Sequence, residues 1–478
     1  MSVIEAQTDS PEGFRNRLLN FDKDGHRSKI YPQKPKGKFY NYRTILSWFL
    51  LAFLFGAPFV KVYGHQFMLF NILERKFVLF GVVFMPQDLY LVALAMMTVI
   101  ISIFLFTAIL GRIWCGWLCP QTIFLEMLYR KIEYLIEGDG IRQRLFDQAP
   151  MSANKFIRKA IKHIIFFALA FAIGNTFLAY IIGSDQLIKI ITDPPSQHVA
   201  GLAVMVFFSL VFYAVFARFR EQACVIVCPY GRYQSVMIDV DTVLVSYDFK
   251  RGEPRGKFTK QDKEAQAQGL SGAANKGDCI DCHKCVDVCP TNVDIRNGIQ
   301  LECVNCTACI DACDEVMEKV KKPKGLIRYT SLSTIRDGAR HWLSNTVKAY
   351  MIVWTIITSV FCYLYIARPM TEVVLLRAPG MLSTNDAQGN KINFYVLDIV
   401  NKHYHDVKID VKLVSPTNGK VQIIGDLSKV KEVSEKSARI MLTLPKENLT
   451  MADLPVRFAV YANNEFVKEV ETKFLTVK

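Results

Sequence analysis

Two kinds of hydrophobic patterning divide this chain. From Thr44 to Ile366 long apolar runs recur, close to the roughly 20 residues that a helix needs to cross a bilayer. They cover Thr44–Val60, Leu89–Leu110, Ile164–Gly183, Val199–Ala217 and Ala349–Ile366, which predicts a five-span helical membrane bundle. The stretch from Phe67 to Phe84 is also apolar but is broken by Glu74, Arg75 and Lys76, and reads as an interfacial or re-entrant piece. From Thr371 onward the pattern changes to alternation. INFYVLDIV, VKIDVKLV, KVQII, SARIMLTL, VRFAVYA and FVKEVETKFLTV read as strands separated by turns at Pro416–Gly419 and Asn463–Asn464. About seven short strands in roughly 110 residues predict an immunoglobulin-like β-sandwich.

These patterns give a division into parts. Residues 1–43 form a basic tail, 44–217 a four-span membrane domain, 218–348 a soluble insertion, 349–366 the fifth span and 367–478 the sandwich. No apolar signal-peptide core precedes the first span. The segment Thr122–Glu137 has helical periodicity with interspersed charges and reads as an amphipathic helix lying on the inner membrane surface, with a core helix as the alternative. Asn175 and Ser209, inside spans, are expected to pair helices.

Of 478 residues, 51% are hydrophobic and 21% charged, with a net charge of +14. Such a basic balance could reflect nucleic acid or a membrane surface. Lys and Arg crowd residues 1–43 and the loop from Gly111 to Lys162, whereas the loop from Ser184 to His198 carries only Lys189. The alternation follows the positive-inside rule, so the charge is explained by topology and anionic lipid, with no nucleic-acid partner. It puts the N-terminus and the insertion in the cytoplasm and the sandwich in the periplasm of a bacterial inner membrane.

The 13 cysteines are unevenly placed. Cys279, Cys282, Cys285 and Cys289 follow C-x2-C-x2-C-x3-C with Pro290 next, and Cys303, Cys306, Cys309 and Cys313 repeat the spacing. This is the pattern of a bacterial two-cluster ferredoxin, in which the fourth cysteine of each run ligates the other cluster. One [4Fe–4S] cluster is therefore expected on Cys279, Cys282, Cys285 and Cys313, the other on Cys303, Cys306, Cys309 and Cys289. The run departs from the ferredoxin pattern at Asp314, where proline is usual. Zinc would use C-x2-C pairs, and a disulfide framework does not suit a reducing compartment. The C-x2-C-H string at Cys279–His283 overlaps these ligands and is no haem site. The basic linker Lys250–Asp278 reads as a flexible loop.

Four more cysteines stand at the inner ends of spans two and four. Cys115-Gly116-Trp117-Leu118-Cys119-Pro120 and Cys224-Val225-Ile226-Val227-Cys228-Pro229 share the form C-x3-C-P. A helical backbone would put both sulfurs of a pair on one face; otherwise the proline sets a turn. Two such pairs could converge on one soft-ligand site, suited to Cu(I), zinc or an iron–sulfur cluster. Cys362, Met96 and Met97 read as packing, His163 as an interfacial histidine, and His403 and His405 as a surface pair that would share a face if in a strand.

With its spans, CGWLCP, CVIVCP, eight-cysteine block and sandwich in this order, the chain resembles the cytochrome c oxidase accessory protein family CcoG, also called RdxA or FixG. The first four spans with CGWLCP are also similar to the membrane ferredoxins NapH and NosR. The resemblance implies a cupric reductase, passing electrons through two clusters to copper for assembly of a cbb3-type oxidase. It makes Cys115, Cys119, Cys224 and Cys228 the catalytic, copper-binding thiols. Copper-delivery proteins, oxidase subunits and an unidentified electron donor are the implied partners. Two other readings remain: a NapH/NosR-type electron-transfer subunit linked to quinol, and an assembly scaffold with structural or redox-sensing clusters.

Overall fold

The computed structural model describes residues 29–72, 76–257, 276–300, 302–338, 344–379, 383–386, 389–445 and 453–476. They fall into two compact units. One holds the described residues up to Val60 together with Leu94–Ser359, and the other Lys61–Ala93 with Val360 onward.

Among the described residues four helices are long and apolar enough to cross a membrane: Pro86–Leu110, Ala153–Ile182, Val199–Phe219 and Asn345–Ile366. The expected first span is not among them. Its helix, Lys38–Gly56, carries Lys38 and Arg43 in its first turns. The apolar remainder, at 1.5 Å per residue, falls short of the roughly 30 Å hydrocarbon layer.

In the first unit, Ala153–Ile182 packs along Val199–Ala214, and Gly174 lets the two backbones approach at Ser209. Asn175 and Ser209 do not bridge helices. Asn175 Nδ2 donates to the Phe171 carbonyl and Ser209 Oγ to that of Met205, each in its own helix. Trp354 Nε1 donates to Ser102 Oγ at 2.7 Å, tying the last long helix to the first.

The segment after CGWLCP corrects a second expectation. Pro120–Ile123, the π-helical Phe124–Tyr129 and Arg130–Ile136 continue one another and are packed into the protein through most of their length, with Leu135 exposed. Ile123, Phe124, Met127 and Tyr129 form a core with Leu51, Phe166, Ile173 and Phe216. Tyr129 stacks on Phe216 with ring centres 4.8 Å apart and meets Phe166 edge-on at 4.7 Å. The charges that suggested a surface helix are paired internally. Arg130 binds Glu126 and Glu221, Arg220 forks onto Glu133 at 2.7 and 2.8 Å, and Lys162 reaches Glu137 at 2.6 Å.

The insertion between Val199–Phe219 and Asn345–Ile366 carries helices Lys284–Asp287 and Ala308–Lys319. It is closed by antiparallel strands Leu244–Tyr247 and Ile327–Thr330, one from each end of the insertion. Of the basic linker, residues 258–275 lie outside the described set. Its two ends pair, Gly277 N to the Pro254 carbonyl at 2.8 Å and Asp278 N to that of Arg251 at 2.9 Å.

The second unit is a sandwich of antiparallel sheets. One orders Lys420–Ile424, Ser434–Leu444, Lys391–Asn401 and Thr371–Arg377, with the short Thr384–Asn385 on Lys391–Asn401; the other orders Ile409–Ser415, Asp453–Ala462 and Glu465–Leu475. Alternate residues meet between them, Tyr395 and Ile440 from one sheet against Phe458 and Phe474 from the other. The Phe67–Phe84 stretch is not re-entrant. It holds the strands Leu69–Asn71, Lys76–Leu79 and Val82–Phe84, and Val78, Val83 and Met85 pack on Val400 and Val433 of the sandwich. Lys402, fully buried, binds Asp88 at 2.7 Å and Glu372 at 3.0 Å across this junction. His403 and His405 follow the strand end at Asn401, so they lie in a loop and not on a strand face.

Candidate metal centre

The eight ferredoxin-like cysteines line two cavities. One is walled by Cys279, Cys282, Cys285 and Cys313, the other by Cys289, Cys303, Cys306 and Cys309. Cys285 borders both, so the cavities are neighbours. The two repeats bend in the same way. Asp281 and His283 flank Cys282 with φ of 53° and 57°, and Asn305 and Thr307 flank Cys306 with 54° and 66°. Left-handed non-glycine residues on both sides of the middle cysteine are uncommon and costly. Here they curl each loop so that its thiols turn inward. Burial pushes the Cys285, Cys303 and Cys313 thiols up to about 12. Thiols gathered in fours about a space fit a cationic metal cluster that holds them as thiolates. Asp314, in place of the usual proline, accepts from Gly325 N at 2.9 Å and secures the helix Ala308–Lys319 to the following turn.

Both C-x3-C-P motifs turn at their second cysteine. Cys119 (φ −65°, ψ 123°) and Cys228 (φ −71°, ψ 113°) are extended, as a residue before proline must be. Pro120 and Pro229 then open new helices. Cys115 sits in the short helix Ile113–Trp117 and Cys224 in the π-turn Ala223–Val227.

The two motifs meet. Gln234 Nε2, beyond the second motif, donates to Cys115 Sγ in the first at 3.2 Å. Arg112 Nη2 donates to the Gly231 carbonyl at 2.7 Å. Gly231 lies so close to Cys224 that an added Cβ would stand 2.6 Å from its carbonyl oxygen. Cys224 interacts electrostatically with Cys119, Cys115 and Cys228; burial first, then these neighbours, push its thiol up to about 12. Cys115 is raised to about 11, mainly by burial, with the Gln234 bond opposing. Among the described residues no three His, Cys, Asp or Glu groups close on one point tightly enough to chelate a single ion. The four thiols are grouped.

This quartet abuts the second cavity. A Cβ on Gly116 would lie 2.5 Å from the Val304 carbonyl oxygen and 2.9 Å from that of Asn305, so the Cys303–Cys306 loop presses on CGWLCP. Cys115 packs with Val288, Val304 and Cys306. Trp117 Nε1 donates to Tyr329 Oη, which donates to the Asn305 carbonyl, both at 3.2 Å. Arg112 interacts electrostatically with Cys115 on one side and Cys303 on the other.

Sequence reasoning missed Gln234, Arg112 and the buried pairs Arg130–Glu221 and Arg220–Glu133. The one visible signal was the glycine after Cys115. His163 takes a bond with Tyr213 at 2.9 Å, Cys362 is exposed on its helix, and Met96 and Met97 are exposed too, so none of these belongs to the quartet.

Apolar spanning helices, paired four-thiol cavities and an appended sandwich define a membrane protein of the iron–sulfur electron-transfer class. Residues 219–332 match a 4Fe-4S dicluster domain, 92–138 a 4Fe-4S binding domain, and 361–476 the IG-like fold at the C-terminal of FixG. Protein RdxB of Cereibacter sphaeroides is 32% identical over 79% of this chain and 80% of its own length. Protein RdxA of the same organism is 29% identical over 80% and 81%, and the nitrogen fixation protein FixG of Rhizobium meliloti 28% over 78% and 77%. The chain belongs to this RdxA/RdxB/FixG family.

Proposed function

We propose that this protein is a membrane-bound cupric reductase. In this reading electrons entering the ferredoxin-like insertion are delivered, one at a time, to Cu(II) at Cys115, Cys119, Cys224 and Cys228. The resulting Cu(I) serves assembly of a cbb3-type cytochrome c oxidase through copper-delivery proteins. The observation that carries the reading is the seating of Gly116 and Cys115 directly on the Val304–Asn305 loop of the second four-thiol cavity.

Bound [4Fe–4S] clusters would supply one-electron chemistry. Cys279, Cys282, Cys285 and Cys313 would hold one, and Cys289, Cys303, Cys306 and Cys309 the other. The quartet's thiolates favour Cu(I) over Cu(II), which makes reduction easier. Arg112, between Cys115 and Cys303, offsets negative charge on both sides.

For placement, the reading uses the bacterial inner membrane with the insertion on the cytoplasmic face. Two observations support an N-terminus on the same face. Gln33 N donates to the Asp287 carbonyl at 2.8 Å, and Tyr40 N to Asp311 at 2.8 Å, so residues 33–40 rest on the insertion. In this arrangement Lys38–Gly56 crosses as well, its polar first turn lying in the headgroup layer with Lys38 exposed, while Arg43 is buried against the protein. The sandwich then falls on the periplasmic side, suited to contact with oxidase subunits.

The test reduces the purified protein anaerobically, adds Cu(II), and follows visible absorbance of the clusters with Cu(I) trapped by a chelator. A Cys115→Ser/Cys119→Ser variant should keep its iron content and lose Cu(I) formation. Undiminished Cu(I) formation by that variant sinks the assignment.

A further inference from the structure

A cavity of about 440 Å³ opens on the far side of Cys289. Three distant segments wall it: Lys29–Gln33, the helix start at Gly140, Ile141 and Arg144, and the loop from Val286 to Asn292. The walls are fastened together. Gln33 binds Asp287 through both its backbone and its side-chain amide, and Lys284 Nζ donates to Gln33 Oε1 at 3.1 Å. Lys34 N donates to Asp139 Oδ1 at 2.7 Å, and Tyr31 Oη to Asp147 at 2.9 Å. Gly140 lies against the carbonyls of Tyr31 and Pro32 with no room for a Cβ.

Cys289 belongs to the wall of this cavity and to the wall of the second four-thiol cavity. It is thus a partition between a cofactor-sized space and a cluster site. An occupant seated against this wall touches a residue that would ligate the cluster, which is the condition for direct electron entry.

The lining narrows the occupant. The volume falls in the range of small-molecule sites, and Ile30, Tyr31, Ile141 and Val286 offer apolar surface to a planar ring. Arg144 stands on the wall and suits an anionic tail, whereas Lys29, also on the wall, is already paired with Asp147. A [4Fe–4S] cluster takes electrons singly. A nicotinamide releases a hydride, whereas a reduced flavin can also release its electrons one by one. A quinol would bring Arg144 no counter-charge.

We propose that this cavity is the electron-entry site and takes a phosphorylated flavin of the flavin mononucleotide class. Its ring lies toward Cys289 and its phosphate toward Arg144. One reduced flavin loses two electrons and two protons; each of the two clusters gains one electron, and the protons pass to water. The proposal rests on the reading that the insertion carries electrons toward the thiol quartet, and it supplies the donor.

The experiment uses the full-length, cluster-loaded protein in detergent without copper. Reduced flavin mononucleotide is mixed in anaerobically and the bleaching of the clusters is followed against flavin concentration. Saturating reduction is expected in the wild type. Half-saturation should rise about tenfold or more in Arg144→Glu, the equivalent of about 1.4 kcal/mol, and likewise for riboflavin, which lacks the phosphate. Arg142→Glu, on the same helix but outside the cavity lining, should match the wild type. Reduction by dithionite in each variant shows that its clusters are loaded. Equal half-saturation for wild type and Arg144→Glu, or for riboflavin and the phosphorylated flavin, overturns the proposal. So does reduction by a flavodoxin-type protein with no response to free flavin. The copper reading fails separately, if dithionite-reduced protein leaves Cu(II) unreduced.

Discussion

Gln234 donates a 3.2 Å hydrogen bond to the sulfur of Cys115, joining the segment behind one C-x3-C-P motif to the first cysteine of the other. The bond stabilises the thiolate form against the burial that raises this thiol. Gln234→Leu should leave iron content unchanged and slow Cu(I) formation about fivefold, the worth of one net hydrogen bond near 1 kcal/mol. Chelator-trapped Cu(I) under anaerobic turnover reads this directly, and an unchanged rate would remove Gln234 from the site.

The packing of CGWLCP on the cluster loop can be tested by one methyl group. Gly116→Ala forces a Cβ toward the Val304 carbonyl, and overpacking of this kind costs about 1–3 kcal/mol. Thermal unfolding should move down by several degrees, and transfer from reduced clusters to copper should slow. Gly56→Ala, where nothing lies within 4 Å, is the matched control and should change neither.

Arg112 interacts with Cys115 and Cys303 but belongs to neither ligand set. Removing its charge disfavours the added electron on the nearer cluster. Arg112→Gln should lower the potential of the cluster on Cys289, Cys303, Cys306 and Cys309 by about 30–60 mV, where 59 mV is a tenfold change for one electron. The cluster on Cys279, Cys282, Cys285 and Cys313 should hold its value. A redox titration followed by electron paramagnetic resonance separates the two.

The buried ion pairs make a different prediction. Arg130→Met takes the counter-charge from Glu126 and leaves Glu221 with the more distant Arg220 at 3.8 Å, and should cost about 3–5 kcal/mol because buried charge is left poorly compensated. Arg130→Met combined with Glu126→Gln and Glu221→Gln should recover much of that loss. Detergent-stability midpoints of the two variants give the comparison; equal midpoints would mean the network is solvated.

Lys402 in the second unit is open to the same reasoning. It is fully buried on Asp88 and Glu372 and holds the short sheet Leu69–Phe84 to the sandwich. Lys402→Met should expose the Lys61–Asp88 segment to limited proteolysis while leaving the clusters' absorbance intact.

The sandwich strands were legible because strict alternation over seven or more residues gathers the apolar side chains on one face only when the backbone is extended. The ferredoxin cysteines were legible because their spacing is itself the geometry of the ligand loop. The sheet at Leu69–Phe84 was hidden for a physical reason. Its strands have three or four residues, too short to show a period, and their apolar faces resemble lipid-facing sequence. The helix after CGWLCP misled for another. Arg130 and Glu133 read as solvated because their partners Glu221 and Arg220 lie 91 and 87 residues away. The meeting of the two thiol pairs has the same origin, since Gln234 and Cys115 are 119 residues apart. No local pattern carries such a contact.

That distance in sequence sets an order of assembly. A nascent chain that has made CGWLCP has made half of a thiol site, with Arg130 and Glu133 still lacking their long-range counter-charges. Only when Arg220, Glu221 and the second motif have been synthesised, after two further long helices, can the quartet close. The first pair of thiols is therefore made well before the second, and the site is completed late.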